Sequence, residues 1–148
     1  MIRVQQAPFD AGAELNAFLK GGHDAGAVAS FVGVARSDGE TGAVARMTLE
    51  HYPGMTEREL ERIEAEARAR WTLTDVLIVH RHGDFAPGDP IVLVIAGARH
   101  RGPAFEAAAF LMDYLKTRAP FWKKEEGPEG ARWVDARDTD TDAARRWK

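Results

Sequence analysis

The segment Ile91–Ala98 (IVLVIAGA) constrains the fold most. It is an unbroken apolar run of strand length between Asp89-Pro90 and the cationic triplet Arg99-His100-Arg101. A strand without a polar face is buried on both sides, so this one reads as the central strand of a sheet. Gly102-Pro103 then opens a helix that runs to about Arg118, since proline is favoured in a first helical turn. Pro120 blocks its continuation, and Phe121–Glu126 follows at once as a strand.

The rest of the chain is arranged around that unit. Ile2–Gln6 reads as a short strand, and Asp10 is placed to N-cap a helix through Lys20, ended by Gly21-Gly22. Ala25–Ala35 (AGAVASFVGVA) favours a strand, Ser37–Gly42 a turn and Val44–Tyr52 a return strand, which predicts a hairpin. Pro53-Gly54 breaks that strand. Thr56 and Glu59 fit a T-x-x-E capping box for a helix Glu57–Trp71, with Leu60, Ile63, Ala67 and Trp71 at helical spacing. Asp75–Arg81 is expected to be a strand and Gly83–Asp89 a loop. Phe121–Glu126 and Arg132–Arg137 form a second hairpin around Gly127–Gly130, and Asp138–Trp147 is a short helix or tail. The order β-α-β-β-α-β-β-α-β-β predicts an α+β fold with a mixed or antiparallel sheet, not a doubly wound parallel one. Neither GxGxxG nor GxxxxGK[ST] occurs, so the nucleotide-fold motifs are absent.

The 148 residues are enough for a single domain, 1–148, with one real core. A net charge of −3 argues against a nucleic-acid-coating protein. No apolar run approaches the roughly 20 residues of a membrane span, and MIRVQQAPFD lacks the apolar stretch of a signal peptide. A cytoplasmic location is therefore expected. With no cysteine, disulfides, thiolate metal sites and cysteine nucleophiles are excluded. Any sulfur or acyl chemistry must use a partner's sulfur or other side chains.

The charge is unevenly spread. Arg99, Arg101, Lys116, Arg118, Lys123 and Lys124 face only Glu106 and Asp113 over the same stretch, which suggests a small anionic ligand or an acidic tail. His100 and Arg101 fall where a helix starts, and a helix N-terminus attracts anions; the alternative is cations in solvent at a loop. Lys116 lies on an apolar stripe with Met112, Ala108 or Ala109, and Phe105. There it snorkels to water, pairs with Asp113, or serves as a partly desolvated functional amine. In FWKKEE, alternation puts Phe121, Lys123 and Glu125 on one face and Trp122, Lys124 and Glu126 on the other. Pro120 gives Lys123 a route back towards Lys116, where paired ammonium groups attract an anion; the alternative is a solvated edge strand. Arg36 is an anion ligand or a surface charge. His80 and His82 lie two apart on a strand, but no third ligand is evident, so no metal is expected. His51 in LEHY reads as a packed or hydrogen-bonded histidine.

The combination FVGVAR (Phe31–Arg36), LEHYPGM (Leu49–Met55), PGD (Pro87–Asp89), HRGPAF (His100–Phe105) and MDYLKTRAPFWKKE (Met112–Glu125) resembles the catalytic (large) subunit family of molybdopterin synthase. The similarity runs over nearly the whole chain, including RWVDAR (Arg132–Arg137).

That resemblance implies an α/β hammerhead core with an added antiparallel β-subdomain. It implies conversion of cyclic pyranopterin monophosphate (precursor Z) to molybdopterin by insertion of two dithiolene sulfurs. The sulfur arrives as a thiocarboxylate on the C-terminal Gly-Gly of a ubiquitin-like small subunit, so no cofactor is implied. A dimer of large subunits sits within a heterotetramer. Lys116 and Lys123 match the family's catalytic lysines. Val34, Ala35, Arg36, His100, Arg101, Lys124 and Glu125 match substrate-contact positions, and Arg137 a position that reaches a neighbouring subunit. The chain departs from the family pattern at Val34, Ala35, Pro90 and Arg99. Two other functions compete: a binding module for a phosphorylated ligand or acidic tail, and a metal-dependent hydrolase using His80, His82 and His100.

Overall fold

The structure, a computed structural model, describes residues 1–21, 24–39, 42–128, 130–134 and 138–148. Chain order is β1 (Ile2–Gln5), α1 (Ala11–Leu19), β2 (Ala27–Val34), β3 (Asp38–Gly39), β4 (Gly42–Ala43), β5 (Arg46–His51) and α2 (Met55–Arg70). It continues with β6 (Leu73–Arg81), β7 (Gly83–Phe85), β8 (Pro90–Ala98), α3 (Arg101–Arg118), β9 (Phe121–Gly127), β10 (Gly130–Val134) and α4 (Asp138–Arg145). This is the expected α+β class. No described helix is long and apolar enough to cross a membrane.

Two four-stranded sheets carry the fold, in the orders β1-β6-β8-β2 and β10-β9-β5-β7. The first is mixed: β1 runs parallel to β6, while β6/β8 and β8/β2 are antiparallel. The second is antiparallel throughout. β8 is interior to its sheet, and its alternation serves two cores at once. Val92 and Val94 pack with Ile78, Leu60, Ile63, Phe110 and Leu111 under α2 and α3. Leu93 and Ile95 pack with Leu77, Val79 and Phe18 under α1. Burial on both faces is why the strand needs no polar residue.

Two pairing expectations fail. β2 and β5 do not form a hairpin: β2 pairs with β8, whereas β5 pairs with β7 and β9. The buried strand β8 takes β2 as its second neighbour. Met47 and Leu49 of β5 instead bury with Ala35, Phe85 and Ile91 between the sheets. The chain thus changes sheet between β2 and β5, through the small β3–β4 ladder. Gly83–Asp89 is also not all loop, because Gly83–Phe85 is a strand on β5 with Phe85 only 1% exposed. Only the Ala86–Asp89 turn remains, closed by the Ala86 N–H donating to Asp89 Oδ2 at 2.8 Å.

The helix starts follow local chemistry. Asp10 Oδ1 accepts from the Ala13 N–H at 3.0 Å, a side-chain N-cap. α2 starts earlier than expected and is not capped by Thr56 and Glu59. Gly54, at φ 84°, is the N-cap residue, and its N–H donates to Glu57 at 2.6 Å. Thr56 lies inside the first turn and donates to the Tyr52 carbonyl. Glu59 is taken by Arg118. α3 ends at Arg118, ahead of Pro120, and β9 begins at Phe121. The β9–β10 hairpin forms, with Lys124 opposite Trp133 and Glu125 opposite Arg132, but its second strand is Gly130–Val134, starting two residues before Arg132, and residues 135–137 of the expected strand lie outside the described residues. At Gly127 the Ala43 carbonyl comes so near that a Cβ would stand 2.6 Å from its oxygen.

Candidate active site

Where the two sheets meet beside the end of α3 there is a cavity of about 470 Å³. That size suits a small ligand buried over most of its surface. β2 and the residues after it supply Val34, Ala35 and Arg36; α3 supplies Met112 and Lys116; β9 supplies Phe121, Lys123 and Glu125. Lys116 and Lys123 therefore line one cavity. Helix and strand are joined only by Ala119-Pro120, and strand alternation turns Lys123 and Glu125 to the same side.

The charges of this cavity sit differently. Glu125 is 5% exposed, while Lys116 and Arg36 are exposed towards the opening. Lys116 is in the last turn of α3, where the helix dipole favours a cation. Its stripe packs inward at Met112 and Ala108, and only its far end, Phe105, is 66% exposed. The rest of the core face is built from Ala104, Ala107, Phe110, Leu111, Tyr114 and Leu115. Ala35 is held by its backbone: its N–H donates to the Asp89 carbonyl at 2.9 Å, and its carbonyl accepts from the Gly88 N–H at 2.7 Å. Val34 presents an apolar side chain, 47% exposed, at the rim.

Four candidates lie elsewhere or outside the described residues. His100 and Arg101 are exposed at the N-terminus of α3. Fifteen residues of helix at 1.5 Å per residue separate Arg101 from Lys116, about 22 Å. The basic stretch Arg99–Lys124 is therefore two separate groups, one at each end of α3. Lys124 is turned to the far face of β9, with its ammonium 5.9 Å from the centre of the Trp133 ring. Arg137 lies outside the described residues.

His80, Asp38 and Asp140, none of them expected in the cavity, also line it. His80 is 8% exposed, and its Nδ1 lies 2.8 Å from the Arg81 carbonyl. Its ring stacks on Phe121 at 3.8 Å and 16°. Burial pushes its pKa down to about 4, with Lys116 adding to the depression against the opposing Arg81 hydrogen bond. His82 packs on His51 at 4.3 Å, and its pKa is lowered by burial first and then by His51. Since His51 and Phe121 are cross-strand neighbours, these four rings tie the first sheet to the second. Alternation could have placed His80, which shares the parity of Val76 and Ile78 on β6. Asp140, on the last helix, carried no local signal. Among the described residues no group of three or more histidine, cysteine, aspartate or glutamate side chains could hold a metal.

The family model described as MoaE protein matches residues 4–118. The molybdopterin synthase catalytic subunit of Mesorhizobium japonicum is 55% identical, over 99% of this chain and 92% of that protein. A solved structure, the molybdopterin biosynthesis MoaE protein from Burkholderia ambifaria, is 54% identical with a TM-score of 0.84, covering 99% of this chain and 97% of that one. A protein-protein complex of subunits 1 and 2 of the molybdopterin-converting factor from Helicobacter pylori shares the fold, with a TM-score of 0.76 at 20% identity, over 92% of this chain and 91% of that one. The chain belongs to the MoaE family, the catalytic subunits of molybdopterin synthase in molybdenum cofactor biosynthesis, and is an enzyme subunit of that family.

Proposed function

We propose that this chain converts cyclic pyranopterin monophosphate (precursor Z) to molybdopterin. The two dithiolene sulfurs come one at a time from the C-terminal thiocarboxylates of two ubiquitin-like small-subunit molecules, each left as a carboxylate, and no cofactor takes part. The observation that carries this is the shared cavity of Lys116 and Lys123, with Arg36 at its opening and Glu125 in its wall. The two ammonium groups attract an anionic tail, stabilise the oxyanions that develop at the attacked carbonyl carbon, and move protons. Arg36 suits the substrate phosphate. A chain without cysteine accords with sulfur carried in by a partner. The small-subunit partner is supported by the Helicobacter pylori complex of the same fold.

We further propose a dimer of this chain within a heterotetramer. In it, His100 and Arg101 of one copy bind the phosphate in the cavity of the other, because about 22 Å of helix keeps them from their own. Arg137 belongs to the same cross-copy group. In hammerhead terms, the mixed sheet with its helices is the core, and the antiparallel sheet is the added subdomain. Reconstitution tests the function: this chain, thiocarboxylated small subunit and precursor Z are mixed and dithiolene product is measured. Product is expected, and its absence with well-folded protein refutes the proposal.

A further inference from the structure

β2 is the outer strand of the mixed sheet, and among the described residues it pairs with β8 alone. Its free edge is unguarded. Sheet edges are usually blunted by lysine, proline or a covering element, and Ala27–Val34 (AVASFVGV) holds neither residue type. Phe31, Val32 and Val34 are 44%, 37% and 47% exposed. Phe31 and Val32 are adjacent and therefore point to opposite faces, so neither face is covered here. The cavity carries the same pattern: six consecutive residues, Phe31 to Arg36, line it. A cavity under one face of a strand would meet every second residue. This one runs along the open edge, where every second residue turns an N–H and a C=O outwards.

Arg36 closes that run, and Lys116 and Lys123 line the same cavity. We propose that the small subunit's C-terminal tail adds to β2 as a further strand of the mixed sheet, a step that rests on sulfur arriving by that tail. Its backbone hydrogen-bonds along Phe31–Val34, and its anionic terminus is carried on to Arg36 and the two lysines. The tail runs parallel to β2, because its last residue lies beyond the strand's C-terminal end. Asp38, Glu125 and Asp140 line the cavity too, so net charge alone gives an anionic tail little direction. Strand addition supplies the direction, since main-chain hydrogen bonds hold an extended peptide whatever its side chains. A Gly-Gly end is also the most mobile kind of chain end. Pairing the residues ahead of it keeps the reacting terminus beside the lysines.

Backbone ester scanning of the small subunit tests this against the full chain. Each amide of the tail is replaced in turn by an ester, which removes one N–H donor and keeps the extended shape, and affinity is measured by calorimetry. In a parallel ladder only every second residue of the added strand bonds to its neighbour. Esters at alternating positions are therefore expected to weaken binding about threefold to tenfold, the worth of a backbone hydrogen bond, and those between them less than about twofold. Hydrogen exchange at the amides of Phe31–Val34 is followed alongside. The outward-turned ones should exchange fast in the chain alone and slow down when the small subunit is added, but not when it is added without its tail. Uniform or absent ester effects overturn the proposal, and if dithiolene product still forms they leave sulfur transfer standing. Slow exchange of all four amides in the chain alone also overturns it, because a second copy of the chain then holds the edge. Alternating ester effects without product support the strand addition and refute sulfur transfer.

Discussion

Lys123 and Lys124, adjacent in the chain, are turned to opposite faces of β9: Lys123 lines the cavity, and Lys124 lies over the Trp133 ring. Their substitutions should therefore differ sharply. Lys123→Ala and Lys116→Ala are each expected to lower sulfur transfer by 100-fold or more, roughly the contribution of a positioned proton-transfer group. Lys124→Ala should cost less than about threefold, the loss of an exposed cation–π contact. Steady-state rates with thiocarboxylated small subunit decide the matter, with binding of that subunit retained in all three variants.

Acid should weaken the fold through His80. Its folded-state pKa of about 4 lies below the ordinary 6.5, so the unfolded chain takes up the proton first as pH falls. The stability tied to the neutral ring is complete above pH 6.5 and is lost as pH drops from there through 4. The loss reaches about 3 kcal/mol at most, given 1.36 kcal/mol per unit. Urea midpoints measured between pH 7 and pH 4 should fall, and the His80→Phe curve should be flatter over the same interval.

Mixing two inactive chains should restore activity if the phosphate ligands cross between copies. In a dimer of Lys116→Ala with Arg101→Ala, one cavity carries both defects and the other neither. Random assembly makes half of the dimers mixed, so co-expression should return about a quarter of the wild-type rate in a two-fold symmetric assembly. No recovery would mean that Arg101 serves its own chain.

Arg118 ties the end of α3 to α2 by donating to Glu59 at 2.8 Å and to Glu66 at 2.8 Å. The Glu66 hydrogen bond is the larger cause of its raised pKa, followed, after an opposing burial effect, by Glu59. Because the side chain is 30% exposed and Glu66 46%, solvent screens much of this. Arg118→Ala should cost only about 1 kcal/mol, and added salt should narrow the difference from wild type. Phe110→Ala sets the contrasting scale. That ring is fully buried against Trp71, Tyr114 and Trp147, and its loss should cost about 3–5 kcal/mol. Thermal or urea unfolding measures both.

What could be read from the chain was local. The apolar run Ile91–Ala98, the proline ending α3 and the turn residues of the β9–β10 hairpin each act within a few positions; the strand, the helix end and the hairpin formed, with the second hairpin strand starting two residues early. The pairing of β2 with β8 was not legible, because it depends on which distant strand needs a neighbour. Phe85 was hidden by the glycines and proline around it. In the site, alternation joined Phe121, Lys123 and Glu125, but it could not choose their face. Trp122, Lys124 and Glu126 repeat the same chemistry on the other side. His100 and Arg101 were grouped with Lys116 by sequence position, and the length of a rigid helix separates them. His80 invited a metal interpretation because its true neighbours, Phe121 and Lys116, come from other elements.

That duplication in FWKKEE makes β9 nearly indifferent to frame: slid by one position, it would still offer an aromatic ring, a lysine and a glutamate to the cavity. The frame is indexed at Gly127, where the Ala43 carbonyl occupies the space of a side chain. A slip would bring Glu126 or Pro128 against that oxygen, and neither fits. A missing methyl group thus works as a keyway, and it decides which of two neighbouring lysines faces the cavity.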